Sequence, residues 1–560
     1  MPTLQFKGKN IIWNHHLSVP FHTLDEIPEL HYQPEKANGN MIIEGDNLIA
    51  LKALLPQFAG KVKCIYIDPP YNTGKEEWVY SDKVNSPLIS EWLGKVIGAE
   101  DLNKHEKWSC MFVPRIKILR ELLQDDGIII ISCDDNEHHH LKTIMDEIYG
   151  SINFIGSIIW KNATDNNPTN IAIEHEYLLV FARDKTKLVS EWKSSISDAK
   201  EELIKIGKEL TDNYEDQNDL QTKYSEWFRE NKRFLGKLDR YKYIDLNGVY
   251  TGSQSVHNPG KEGYRYNIIH PITLKPCKEP LMGYRFPEIT MNELITDGKI
   301  LFGEDEDKII ELKVYASEYE DKLSSYIELD GRVGAYDLRN LFGSVPFKNP
   351  KPVLLLTHIL PFVINKNDII LDSFAGSGTT MHAVMELNKE DGGNRQCIMI
   401  QMPENSEVEP NKNICKDITR ERVKRAIDKY SYDSGFKYYR LGIPLDAETM
   451  LAGQLPTYTQ FAKYVYYLCT GENLETEDKI NEAGYFVGEY SKQAIYLVYK
   501  QDYETLTRLA LNLTLAEKIK EQHPAKIRIV YAPSCFLDEE YLTDNQIEYV
   551  GIPYNLFQRR

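Results

Sequence analysis

Apolar positions in residues 40–182 alternate between helical and strand-like spacing. Met41-Ile42-Ile43 is a short apolar run, and Asn47 to Phe58 carries Leu48, Leu51, Leu54 and Leu55 at helical spacing. Val62-Lys63-Cys64-Ile65-Tyr66-Ile67 reads as a buried strand, Trp108 to Leu123 as a helix and Gly127 to Ser132 as another buried strand. The polar stretch Tyr71 to Lys107 reads as a loop segment. Asp134-Asp135-Asn136-Glu137 could cap a helix running towards Tyr149, and Phe154–Trp160 and Tyr177–Phe181 read as further strands. Repeated βα units of this kind predict a parallel sheet with helices on both faces.

From Asp184 to about Asp337 the pattern changes. Glu201 to Arg233 is charged and helical, with Leu203, Ile206, Leu210 and Tyr214 on one stripe, and short pieces rich in tyrosine and glycine follow. The α/β pattern resumes with helix Pro352–Pro361, strand Ile369–Leu371, helix Thr379–Asn388, strand Cys397–Gln401 and a basic helix Cys415–Lys429. Beyond it, period-two runs Ala494–Tyr499, Lys526–Tyr531 and Gln546–Ile552 flank a helical Glu504–Gln522. This organisation predicts an α/β core in two parts, 1–183 and 345–440, an insertion at 184–344, and a small separate α/β domain at 441–560.

Composition changes this picture little. The 560 residues are 42% hydrophobic and 27% charged, ordinary for a globular protein. No apolar run approaches a membrane span, and Met1 to Asn10 lacks the apolar core of a signal peptide. The eight cysteines are scattered without a CxxC pair, so reduced thiols in a cytoplasmic protein are expected. A net charge of −18 excludes a uniformly basic surface but not a local basic channel, because screening limits what a phosphate feels to about 10 Å.

The chemistry lies at two strand ends. Asp68-Pro69-Pro70-Tyr71 closes the Val62–Ile67 strand and places a carboxylate, two rigid prolines and an aromatic ring where a flat, amine-bearing base could be held. An exocyclic amine is a poor nucleophile because its lone pair is delocalised into the ring. Acceptors for both of its hydrogens favour the nucleophilic form; Asp68 could take one and the Pro69 carbonyl the other, while Tyr71 stacks on the base. Asp372-Ser373-Phe374-Ala375-Gly376-Ser377-Gly378-Thr379-Thr380 closes the second strand as a glycine-tight turn into a helix, suited to close approach of a cofactor to the backbone. No GK[ST] occurs, so a nucleoside-triphosphate loop is unsupported.

In this order the two motifs resemble the signatures of amino-methyltransferases that use S-adenosylmethionine, specifically the DNA adenine-N6 family in its circularly permuted β class. The resemblance implies a Rossmann-like methyltransferase core with an inserted target-recognition region. It assigns Asp68, Pro69, Pro70 and Tyr71 to catalysis, and Asp372, Phe374, Gly376, Gly378 and Thr379 to the methionine side of the cofactor. Phe347-Lys348-Asn349-Pro350-Lys351-Pro352 is similar to the family segment near the cofactor carboxylate, where Lys351 is the candidate; a solvated lysine beside helix-starting prolines is the plain alternative. Asp46, in Glu44-Gly45-Asp46-Asn47, is the matching candidate for adenine or ribose contact, and equally reads as a helix N-cap. Where many relatives carry an acidic ribose ligand, this chain has Gln401, with the first carboxylate at Glu404, and the choice between them stays open.

Residues 40–182 and 345–430, including Trp108-Ser109-Cys110-Met111-Phe112-Val113-Pro114-Arg115, resemble the modification (Mod) subunits of type III restriction–modification systems. That implies double-stranded DNA as substrate, a homodimer, and a helicase–nuclease restriction subunit or other phage-defence partner. Basic residues interleaved with aromatics in the insertion, Arg229, Lys232, Arg233, Arg240, Lys242 and Arg265, are the candidate DNA contacts; Lys237 and Lys261 belong to the same pattern. A charged helix face is their alternative reading. Cytosine-N4 methylation is the near rival, since both amines need the same acceptors, and Asp at position 68 favours adenine; a DNA-recognition scaffold with weak methylation is the rival from another class. His138-His139-His140 on a helix point in different directions, so no metal site is expected.

Overall fold

Ten strands build the main sheet, and their order explains where the two motifs meet. They are β1 (His22–Glu26), β2 (Met41–Glu44), β3 (Val62–Ile67), β4 (Leu123–Cys133), β5 (Phe154–Lys161), β6 (His175–Ala182), β7 (Tyr326–Glu328), β8 (Ile369–Asp372), β9 (Gln396–Gln401) and β10 (Lys437–Pro444). The spatial order is β1-β10-β2-β9-β8-β3-β4-β6-β5-β7. Strands β10 to β4 run parallel, whereas β6 is antiparallel to both β4 and β5, and β1 is antiparallel at the opposite edge. This computed structural model describes residues 3–72, 104–164, 170–194, 198–235, 238–257, 262–474 and 476–553. The expected loop after Tyr71 lies mostly outside them, as do Lys237, Lys261 and the Arg233 side chain.

The expectation of a wholly parallel sheet is corrected on this side. The Phe154–Trp160 and Tyr177–Phe181 runs pair with each other as an antiparallel ribbon, with Trp160 opposite Glu176. This puts the first residues of β6 at the edge where the parallel strands end, because Tyr177 lies opposite Cys133 and Ile131 opposite Ile67.

Helices α1 (Asn47–Phe58), α2 (Lys104–Leu122), α3 (His138–Met145), α4 (Val353–Ile359), α5 (Thr379–Asp391) and α6 (Arg420–Tyr430) follow the apolar stripes. Asp46 caps α1 by accepting the Leu48 N–H at 2.8 Å. At α3 the expected acidic cap takes another form: Asp134 accepts the Asn136 N–H at 3.0 Å in a tight turn, and the residue before the helix is Glu137.

The chain divides into two compact units, Met1–Ser190 with Ser324–Arg560, and Glu191–Leu323. Residues 324–344, assigned to the insertion from the sequence, fall in the first unit because β7 extends the main sheet beside β5 and a helix follows at Arg332–Phe342. The C-terminal residues also fall in the first unit instead of forming a separate domain. Helix α7 (Tyr458–Thr470) buries Phe461, Ala462, Tyr464 and Val465 in one continuous cluster with Leu51, Leu54 and Leu55 of α1. Its other side meets a four-stranded sheet, Phe486–Tyr490, Gln493–Leu497, Ile527–Ala532 and Ile547–Gly551.

In the second unit, helices Asp198–Asn213 and Gln217–Leu235 pack with the strands Tyr243–Asp245 and Gly248–Ser255 around Leu203, Leu220, Tyr224 and Phe228. No helix among the described residues is long and apolar enough to cross a membrane, and all eight cysteines are free thiols.

Candidate active site

Strand β8 lies directly between β9 and β3, with Leu371 in register with Ile65. Their carboxyl ends therefore place Asp68 beside the Asp372–Gly378 turn. Strand order reverses here, and the crevice outside such strand ends is where open α/β sheets hold their ligands.

The turn is held from several directions. Asp372 is 2% exposed and both of its oxygens are engaged: one accepts the Phe374 N–H at 3.0 Å and the other the Thr380 hydroxyl at 2.5 Å. Burial pushes its pKa up to about 7. Gly376 has φ +50° and Gly378 φ +83°, and a Cβ on Gly378 would lie 3.0 Å from the Thr419 carbonyl oxygen. Phe374 and Thr379 are buried in the turn's wall, and the Thr379 hydroxyl donates to the Lys351 carbonyl at 3.1 Å. Beneath them, the buried Arg422 guanidinium donates to the hydroxyls of Ser377 at 2.7 Å and Thr379 at 2.8 Å.

Gln401 and Glu404 act together. The Gln401 carbonyl oxygen accepts the Gly376 N–H at 2.8 Å, and its amide donates to Glu404 at 3.0 Å. Burial raises the pKa of Glu404. Gln401 is thus committed to shaping the turn, and Glu404 is the half-buried carboxylate at its rim. Asp46 faces the same edge with 24% of its side chain exposed, capping α1 and meeting Arg115 at 3.4 Å. The neighbouring Asn47 amide donates to the Ser373 carbonyl at 2.8 Å, which ties α1 to the end of β8.

At the catalytic motif, the Pro70 carbonyl accepts the Trp108 indole N–H at 2.8 Å, fixing the second proline of the turn. The Tyr71 hydroxyl lies 2.8 Å from Asp68 and 2.9 Å from Glu176, and donates to one of them at a time. Lys351 completes the cluster. Its ammonium lies 3.0 Å from Asp68, 3.0 Å from Glu176 and 2.8 Å from the Tyr71 oxygen, with only 9% of the side chain exposed. The cluster adds Asn162, which donates to the second Glu176 oxygen at 2.7 Å. Burial opposes the Lys351 charge, but the attraction of Asp68 and Glu176 outweighs it and raises its pKa. Burial raises the pKa of Asp68, with Lys351 pulling the other way.

Lys351 therefore touches both motifs, its carbonyl at the glycine turn and its ammonium at the Asp68 carboxylate. Glu176 is the residue that sequence reasoning missed. Its signal was a carboxylate abutting the apolar run Tyr177–Phe181, and only the antiparallel direction of β6 brings it to this edge.

The candidate DNA contacts lie in the second unit. Arg229 and Lys232 are exposed on one helix, and Arg240 and Lys242 are exposed on the segment after it. Arg265 is paired within its own hairpin, with Glu279 at 2.7 Å and Glu262 at 3.6 Å. The aromatics interleaved with these cations are mostly core: Phe228 and Tyr241 are buried, and Trp227 stacks on Tyr224. These three rings hold the unit together.

Residues 62–427 match the DNA methylase family. The chain is 49% identical over 444 residues to the type III restriction-modification enzyme EcoP15I Mod subunit of Escherichia coli, covering 76% of this chain and 69% of that one. It is 32% identical over 440 residues to the type III StyLTI Mod subunit of Salmonella typhimurium, covering 73% of this chain and 61% of the relative. It is also 27% identical over 406 residues to the type II methyltransferase M.KpnI of Klebsiella pneumoniae, covering 68% of this chain and 84% of the relative. The matched region thus spans between three fifths and seven tenths of the two Mod subunits.

Proposed function

The chain belongs to the DNA methylase family, and on that premise we propose that it methylates the N6 amine of a flipped-out adenine in double-stranded DNA. In this reading it serves as the modification and recognition subunit of a restriction or phage-defence system. The observation that carries the chemistry is Asp68, at the end of β3, beside the glycine turn at the end of β8. Asp at position 68 favours adenine over cytosine.

S-adenosylmethionine, when bound, supplies an electrophilic methyl group. The turn fits such a group because Gly376 and Gly378, at positive φ and packed against Phe347 and Thr419, hold it tight, while Asp46 and Glu404 offer carboxylates at its rim. The chain's own residues do the rest. The Asp68 oxygen and the Pro69 carbonyl accept the two amine hydrogens, and Lys351 keeps Asp68 ionised at a half-buried site. Tyr71 provides a face for the base, which repays part of the few kcal/mol that flipping costs. After methyl transfer the amine must release one proton, and Asp68 is the carboxylate in contact with it. Positioning is the main catalytic effect in such a site.

A second copy of the chain and a cleaving subunit are the proposed partners, and the exposed Arg229, Lys232, Arg240 and Lys242 the proposed phosphate contacts. The test is methylation of unmodified genomic DNA with labelled S-adenosylmethionine, read as nucleosides by mass spectrometry. N6-methyladenine that disappears in Asp68→Ala supports the reading. N4-methylcytosine overturns the base assignment, and DNA binding without any methyl product favours a recognition scaffold.

A further inference from the structure

A second cluster lies behind the catalytic loop. Glu137 is fully buried, and its two carboxylate oxygens face two imidazoles: His105 Nδ1 at 2.8 Å and His140 Nδ1 at 3.0 Å. The three ligand-capable atoms lie within 4.8 Å of one another. They come from two helices, His105 from α2, Glu137 from the residue preceding α3, and His140 from the first turn of α3. Of the three consecutive histidines, His140 alone contributes a ligand atom to this cluster, and the His139 ring lies against it with centroids 3.9 Å apart.

We propose that His105, Glu137 and His140 bind a borderline divalent transition-metal ion of the zinc class, at a site separate from the methyl-transfer pocket. Two imidazoles and one carboxylate form a donor set that zinc takes with water in the remaining position. Around a tetrahedral ion with bonds of about 2.0 Å, neighbouring ligand atoms sit roughly 3.3 Å apart. The observed separations of 2.8 and 3.0 Å, each to its own Glu137 oxygen, open by a few tenths of an ångström, while the widest separation among the three ligands, within 4.8 Å, closes towards that value as the partly exposed imidazoles turn in. Proton balance is simple: Glu137 binds as the carboxylate, and each neutral imidazole moves its hydrogen from Nδ1 to Nε2. The His105 and His140 side chains are 35% and 23% exposed, so solvent reaches the ion and mediates that exchange.

The surroundings supply an outer-shell partner as well. The Asn72 amide donates to the Glu137 oxygen that faces His105, and also to the Lys104 carbonyl at 3.1 Å. Such second hydrogen bonds orient carboxylate ligands. Asn72 is 2% exposed, has φ +59°, and directly follows Tyr71. The ion would therefore brace Asn72, the residue after Tyr71, through Glu137.

The full-length protein, stripped with a chelator and desalted, is titrated with Co2+ while the visible absorption is recorded, and Zn2+ affinity is then measured by chelator competition. Expected are one equivalent of Co2+ with the strong bands of a four- or five-coordinate site, and displacement by Zn2+. His105→Ala with His140→Ala should weaken Zn2+ binding at least about 100-fold, and Asn72→Ala about 10-fold. Circular dichroism and S-adenosylmethionine binding establish that the variants fold, and the partly exposed His105→Ala alone serves if the double variant does not. Zn2+ binding that is equal in wild type and His105→Ala, or absent from both, overturns the site and leaves Glu137 as a hydrogen-bond hub for Asn72. Neither result bears on whether the chain methylates adenine.

Discussion

Replacing Lys351 by methionine tests how the catalytic carboxylate is kept charged. The ammonium stands 3.0 Å from both Asp68 and Glu176. At that separation, with an effective dielectric constant of about 20, each attraction is worth roughly 5 kcal/mol. Asp68 keeps 27% of its side chain exposed, so water takes over part of the loss, and about 2 kcal/mol is the fair figure for its ionisation. At 1.36 kcal/mol per pH unit this raises the pKa of Asp68 by about one to two units. The direction is fixed by the chemistry: burial already raises this pKa, Lys351 opposes it, and removing the cation leaves burial and Glu176 opposed only by the Tyr71 hydrogen bond.

In the proposed mechanism only ionised Asp68 can take up the proton that the methylated amine releases. The acid limb of the methylation rate should therefore move to higher pH by about one to two units in Lys351→Met, and should stay close to wild type in Lys351→Arg. The assay is initial-rate methyl transfer from pH 6 to 10 at saturating DNA and S-adenosylmethionine, with cofactor affinity measured in parallel. An unchanged acid limb combined with a large rise in cofactor Kd would refute the charge-balance reasoning. It would return Lys351 to the cofactor-carboxylate role that its segment suggests from sequence.

Three further outcomes follow from the same contacts. Glu176→Gln removes the anion that raises the Asp68 pKa while keeping a partner for Asn162, so the acid limb should shift downward, opposite to Lys351→Met, in the same rate–pH series. Asp372 has a folded pKa raised to about 7 from an unfolded value near 3.8, so the stability it contributes at low pH is lost between about pH 4 and 7. Asp372→Asn should therefore raise Tm more at pH 8 than at pH 5 while weakening S-adenosylmethionine binding, and a larger gain at pH 5 would contradict the buried-charge account. Phe461→Ala, at a fully buried position of α7, should cost about 3–5 kcal/mol and lower a single cooperative denaturant transition that includes the sheet strands. Two separate transitions, with only the smaller one affected, would show that the C-terminal residues fold independently.

What could be read from the chain follows from how local each feature is. Strand Val62–Ile67 and helix Asn47–Phe58 match their sequence limits because a buried apolar run, an Asp46 cap and a fourfold leucine stripe are all written within a dozen residues. The Asp68–Tyr71 and Asp372–Gly378 motifs are equally local, so their placement at strand ends was legible even though residues 191–323 separate the two halves of the core. The C-terminal boundary was not legible. The apolar stripe of Tyr458–Thr470 is the same whether it faces its own small sheet or the leucines of α1, and only the packing shows that it faces both. Glu176 was hidden for a related reason. A parallel strand in its place would have carried its first residues to the opposite edge of the sheet, more than a strand's length from Asp68. The antiparallel turn of β6 brings a second carboxylate against the ammonium that already meets Asp68, and this makes Lys351 the joint between the Asp68–Tyr71 and Asp372–Gly378 motifs.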